Sequence, residues 1–446
     1  MKTKLFLFLM LVAATQLKAN NMLVKNVTTT GDNAANKTIQ VQFDMSWDNS
    51  WRDGINWDAA WVFMKYKDAN GLWQHVQLNT TGFANGTGTA NTIQVGSDKV
   101  GAFVYRSAAG TGTFASTTMQ LQWNYGLSGL TNVTGLEIRV FAVEMVYVPQ
   151  GGFNCTKIFF DSSEYCLNPR SFFASGNNFP VINNKLTPAC NYNDGVQSIV
   201  RIKGDIGIDT NNDGVIDNIS YPLGYKAFYC YKYELTEQQY ADFLNTLTSN
   251  QITTLGIAGS NITLNNGQYF SSTPNRACGN ASANRILSYS DWSGVRPISF
   301  LEINKASYGP FQPKFYSQQS GCSGGSCGIF YDKYGYPTSG NGNFVIGLSD
   351  VGSLANSTTT NAQSGASYYG ILDLTGNAKE PVVPLSFINY TINNGNGVLG
   401  ANGTTDNPQW NTTMIKHIEF SQTKTGCSAS SNWPTDSGFR YVRSAE

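Results

Sequence analysis

Ile39, Val41, Phe43, Met45 and Trp47 alternate with polar residues. A period of two is the mark of a strand with one buried and one wet face, so this stretch needs a second layer to cover its apolar side. Further strand candidates lie at 61–66, 76–78, 93–95, 119–123 and 136–143. Gly/Asn/Thr clusters at 80–91 and 108–113 separate them, and no helical periodicity intervenes. An antiparallel β-sandwich over 22–143 is the expected class. Within it, Trp51, Arg52 and Trp57 place indoles beside a guanidinium. Such a group can stack on sugar faces or hold a cation over a ring; it can equally fill the core of the sandwich and its rim.

The chain has 446 residues, enough for two or three cores. Its net charge is zero and only 13% of residues are charged, which argues against a nucleic-acid partner because no basic footprint exists. Apolar residues make up 41%, too many for a disordered chain. Lys2 and Lys4 precede an apolar run at 5–14, with Ala19 at a cleavage position. Residues 1–19 therefore read as a signal peptide. The run is too short to span a bilayer, and no transmembrane segment is expected elsewhere. A secreted or cell-surface protein follows, with the periplasm as the other destination, and disulfides are permitted there. All eight cysteines (155, 166, 190, 230, 278, 322, 327 and 427) lie beyond residue 150, and the even count suits four bridges.

Residue 143 runs into Glu144 without a flexible linker, so a rigid junction to a second domain, 144–446, is expected. Asp209, Asn211, Asp213 and Asp217, with Gly214 at the turn, have the spacing of the first positions of a calcium loop. Ser220 stands where the closing glutamate would be, so a calcium-stiffened β-loop and a plain Asx-rich turn are both open. Thr236 and Gln239 form a capping box ahead of an amphipathic stretch, predicting a helix over 237–248. Ser299 and Glu302 form a second box, with Ile298 and Ile303 as its hydrophobic staple. That spacing assigns Glu302 to the helix start rather than to catalysis.

The most distinctive stretch is Tyr368-Tyr-Gly-Ile-Leu-Asp-Leu-Thr-Gly-Asn-Ala-Lys-Glu-Pro381. A Gly-Asn turn aims two carboxylates, Asp373 and Glu380, and several carbonyls at one point, the kind of oxygen cage that hard cations favour. This stretch, the segments around 144–153, 221–247 and 296–309, and Ser437-Gly-Phe-Arg440 follow one another in the order found in the formylglycine-generating enzymes, the sulfatase-modifying factors. The chain resembles that family over roughly 145–446, with an insertion at about 310–343. The resemblance implies an α+β, C-type-lectin-like fold rich in irregular structure. It also implies a calcium site on Asp373, Glu380 and the carbonyls of Gly376 and Ala378.

The family's chemistry is copper-dependent oxidation of a sulfatase cysteine to formylglycine. Its two copper thiolates fall in the interval that here is 381–437, which holds Cys427 alone. Linear copper(I) needs two thiolates, so copper is not expected. Cys322 and Cys327 are spaced like the family's pair but lie inside the insertion, where a small-loop disulfide is the simpler outcome. The chain has two histidines, His75 and His417, too few for a three-histidine iron site. The expectation is a non-catalytic surface, adhesion or assembly protein, a pseudoenzyme. It would bind an extracellular glycan or protein, or self-associate into an oligomer or filament. The alternative is an active oxygenase using the displaced cysteine pair.

Overall fold

The structure, a computed structural model, describes residues 21–154, 221–310, 347–356, 359, 361–374, 376–383, 390, 393–417 and 435–446, with the backbone of short strand pairs elsewhere. Residues 1–19, read above as a signal peptide, the 209–217 stretch, Cys155, Cys166, Cys190, Cys322 and Cys427 lie outside the described residues. So does most of the 310–343 insertion. Cys327 is described by its backbone alone, in a strand at Cys327–Ile329.

The chain opens with β1 (Leu23–Asn33), β2 (Thr38–Arg52), β3 (Asp58–Lys67), β4 (Trp73–His75) and β5 (Thr87–Gly88). Then come β6 (Asn91–Val95), β7 (Ala102–Arg106), β8 (Gly110–Asn124) and β9 (Ile138–Val148). Four of these make one antiparallel sheet in the order β1-β2-β8-β5. The alternating residues of β2 face inward, as their period requires: Val41, Phe43, Met45 and Trp47 are buried against Met119, Leu121, Trp123 and Phe114 of β8. Ala60, Val62 and Met64 of β3 close this core from the other side. The N-terminal segment is thus two sheets around a shared core.

The second sheet does not stop at the sandwich. β9 pairs on one edge with β3 and on the other with β10 (Phe228–Tyr231). β10 in turn pairs with the C-terminal strand β12 (Tyr441–Ser444), which pairs with β11 (Arg296–Pro297). One eight-stranded sheet results, so residues 143 and 144 are neighbours inside a single strand. Its far face is covered by α1 (Glu237–Leu244), α3 (Ala283–Ser293) and α4 (Phe300–Tyr308), with a shorter α2 (Ser249–Leu255) beside them. Ala59, Trp61 and Phe63 belong to this second core. β3 is therefore covered on both faces, which is why Ala59 to Met64 reads as an unbroken apolar run.

Several expected elements shift. The strand expected at 76–78 lies earlier, at β4; the Val76 N–H still donates to the Met64 carbonyl at 3.0 Å, Leu78 bridges to Trp123, and both side chains plug the sandwich core. The expected loop at 108–113 is partly strand, because β2 continues past Trp47 and pairs Trp51 and Arg52 with Thr111 and Gly110. Both capping boxes form as read. The first helix ends at Leu244, however, and Thr248 caps another. Asn245 is held there by the backbone of Tyr269, donating to its carbonyl at 2.9 Å and accepting from its N–H at 2.7 Å. Cys230 and Cys278 are buried free thiols, so the eight cysteines do not form four bridges. Both sit in the apolar core that the helices cover, which takes two of the eight out of any bridging scheme.

Candidate functional site

A cleft of about 680 Å³ opens between the end of β2 and the chain leading into the Gly-Asn turn. Its position follows from one extra residue in β2. The ladder to β8 slips between Trp47/Phe114 and Ser50/Gly112, with Asn49 at a positive φ of 55°. A bulge of this kind re-aims the side chains beyond it. Trp47 points into the sandwich core, stacked on Phe114 at 3.9 Å, while Trp51 packs against the second core. Trp51 emerges half-buried in the cleft wall, opposite Tyr368 and Tyr369. Gly370 makes that approach possible: a Cβ there would lie 2.9 Å from the indole, and the residue sits at φ +87°. The Asn56 side-chain amide donates to the Tyr369 carbonyl at 2.7 Å and ties the two walls together.

Beneath Trp51 lies a buried ionic cluster. Lys232 Nζ contacts Glu144 at 2.9 Å and Asp58 at 3.4 Å, with its ammonium 5.0 Å from the Trp51 ring centre. Asp58 accepts from Trp47 Nε1, Ser50 Oγ and the Trp51 N–H, so it clamps the bulged segment. Burial raises the Asp58 carboxyl above its ordinary range, with Lys232 pulling the other way. Burial also pushes Glu144 up to about 7, again opposed by Lys232, and Glu144 Oε1 is a buried oxygen with no hydrogen-bond partner. Two carboxylates share one ammonium, so a proton on Glu144 balances the cluster.

Trp51 and Arg52 line the cleft; Trp57 does not. The Arg52 guanidinium lies 4.3 Å over the Trp57 ring and donates to the Arg106 carbonyl at 2.7 Å. Trp57 in turn stacks on Tyr147 at 4.0 Å and donates to the Tyr229 hydroxyl. It is a pillar under Arg52. The sequence marked the tryptophans, the arginine and the stretch from Tyr368 onward, but it assigned no role in a cleft to Lys232 or to the wall from Ala355 to Leu372.

The Gly-Asn turn is a second cluster. Gly376 and Asn377 have positive φ, as does Asp373. Glu380 Oε1 accepts from Arg440 Nε at 2.9 Å, and Asp373 accepts from the Gly352 N–H. A third carboxylate, Glu234, takes the Ala378 N–H at 2.8 Å and the Asn377 amide at 2.7 Å. Arg440 also donates to the carbonyls of Leu372 and Tyr231, so the C-terminal Gly-Phe-Arg stretch locks the turn. Asp373 and Glu380 do share one neighbourhood, as the spacing suggested. Three carboxylates, Glu234, Asp373 and Glu380, share the one Arg440 guanidinium here. Among the described residues no three His, Cys, Asp or Glu side chains converge to hold a metal.

Other chemistry-bearing side chains are occupied structurally. Glu302 caps α4 and pairs with Arg296 through two contacts of 2.7 and 2.6 Å. Burial pushes the Cys230 thiol up to about 12 and Cys278 well above its ordinary value, the opposite of a reactive thiolate. His75 is buried between Lys65 and the Val100 carbonyl, and burial holds its pKa well below the usual range. Among the described residues no helix is long and apolar enough to cross a membrane. No family model matches the chain, and no curated protein or solved structure does.

Proposed function

We propose that this is a secreted, non-catalytic recognition protein on a scaffold resembling the sulfatase-modifying factors, and that it binds an extracellular glycan in the Trp51–Tyr368 cleft. The observation that carries the reading is the composition of the cleft wall. Half-buried aromatic rings of Trp51 and Tyr368 face a lining of amides and hydroxyls, among them Asn49, Asn356 and Thr359. Aromatic surface with a few placed polar groups is the make-up of a small-ligand site, and an indole is apolar on its face and polar at its tip. The resemblance is supported by the order of its segments and by the contact of Glu380 with Arg440, which brings two of them together.

The test is a screen of the secreted protein against immobilised oligosaccharides, with Trp51→Ala alongside. Wild-type binding is expected to drop at least about tenfold in the variant. Binding by Trp51→Ala equal to wild type would overturn the assignment of the cleft.

A further inference from the structure

We propose that the open edge of β9 is a peptide-binding site, which takes an extended segment with alternating apolar residues and one basic residue as an added strand. The ladder fixes which backbone groups face that edge. The Lys67 N–H donates to the Glu137 carbonyl at 2.9 Å and the Lys232 N–H to the Glu144 carbonyl at 3.0 Å. Between them the register with β3 runs without a slip from Val146 to Ile138. Odd-numbered residues of β9 therefore bond toward β3 and even-numbered ones toward the opposite edge. β10 and Lys232 cover that opposite edge only from Glu144 onward, because the chain then turns away to the Thr236 cap of α1. Among the described residues nothing pairs with the N–H and C=O groups of Val140 and Ala142. An unpaired row of this kind is a template for a further strand.

The flanking space suits such an occupant. A pocket of about 330 Å³ runs along residues 140–143, between residues 22–24 and one side of α1. Side chains of an added strand would alternate between its two faces. On the helical face they would meet Phe141 and Trp292, packed edge-to-face at 5.0 Å. On the sandwich face they would meet Val24 and Val140. Trp292 is 4% exposed, and its Nε1 is a buried donor with no partner among the described residues; a ligand acceptor would relieve that cost. Asp242 is the one charged side chain among the described residues that line the pocket. One of its oxygens accepts from Gln238 Nε2 at 2.9 Å, and the other has no partner among the described residues. Burial raises this carboxyl above its ordinary range. Arg139, the cation acting on it, is bonded to Glu137 at 3.0 Å and lies 4.3 Å over the Trp73 ring. A basic side chain two positions from the residue on Trp292 would supply the missing charge.

The experiment is calorimetric titration of the full-length protein with the pentapeptide Val-Phe-Val-Lys-Val, blocked at both ends, whose Phe and Lys share one face. Two further peptides carry backbone N-methyl groups, one on the second and fourth residues and one on the first, third and fifth. A strand bonds through alternate residues, so one methylated peptide should lose at least about tenfold in affinity and the other stay within about threefold of the parent. Replacing the peptide's Lys by Glu should weaken binding by about threefold or more, and Asp242→Asn should abolish that preference. Parent-like binding by both methylated peptides would overturn strand addition. Absence of binding by the folded wild-type protein would overturn the site. The methylated peptides keep the test decisive should Asp242→Asn fail to fold. A dimer in light scattering that excludes the parent peptide would assign the edge to a second copy of this chain and overturn the peptide reading.

Discussion

At the scale of single residues, Glu144 ties the cleft to pH. Its carboxyl sits at about 7 in the folded chain against an ordinary 4.5. The folded state therefore keeps a proton that the unfolded chain releases, and the stabilisation is complete below the ordinary value and lost as pH rises through 7. The urea midpoint should fall between about pH 5 and 8, by up to about 3 kcal/mol of stability, and Glu144→Gln should flatten that slope. A Glu144→Gln protein with the wild-type slope would remove Glu144 from this role. Glu144 could be read in the sequence only as the residue after the junction. Its partner Lys232 lies 88 positions away, and no local pattern links them. Trp51 and Arg52 were legible because indoles beside an arginine are conspicuous in any chain. Trp57 looked equivalent to them, and only packing on Tyr147 made it a support.

At the scale of elements, short-range rules held and long-range ones decided the rest. The Thr236 and Ser299 caps were legible because a capping box is a three-residue spacing whose bonds close locally. Thr236→Ala should cost about 1 kcal/mol in thermal or urea unfolding; a neutral outcome would mean the box adds nothing beyond packing. The loop after Asn394 is fixed differently. Lys65 Nζ donates to the carbonyls of Trp292 and Gly397 at 2.7 and 2.6 Å, and a Cβ on Gly397 would fall 2.2 Å from the His75 ring at a φ of +87°. Gly397→Ala is expected to destabilise by about 2–4 kcal/mol, and an unchanged melting temperature would contradict the close approach. In the Gly-Asn turn the Arg440 guanidinium supplies the positive charge beside Glu380. Calcium on Asp373 and Glu380, which the family resemblance implies, should make the melting temperature fall by several degrees in EDTA; an unchanged value would take the ion out of the fold.

At the scale of the whole molecule, the two expected domains share one sheet. Trp61 and Phe63 on β3, with Met145, Val146 and Val148 on β9, belong to the core that the helices complete. Cutting after residue 148 would expose this face, and a contiguous apolar patch of that kind drives association. Calorimetry of the intact protein should show one cooperative transition, and residues 22–148 expressed alone should aggregate. Two separate transitions, or a soluble folded fragment, would show that the sandwich stands by itself.

By itself, the sequence determined whatever depends on neighbours within a few positions. The strand period of β2, the two capping boxes and the Gly-Asn turn all belong to that set. It also marked which residues could carry chemistry. Tertiary structure alone decided what those residues face. The bulge at Asn49 turned Trp51 out of the sandwich core, and β9 joined two expected domains into one sheet. Arg440 came from the far end of the chain to the carboxylates of the turn. Each of these depends on side-chain burial and charge pairing between segments far apart in sequence, and periodicity holds no record of such pairings.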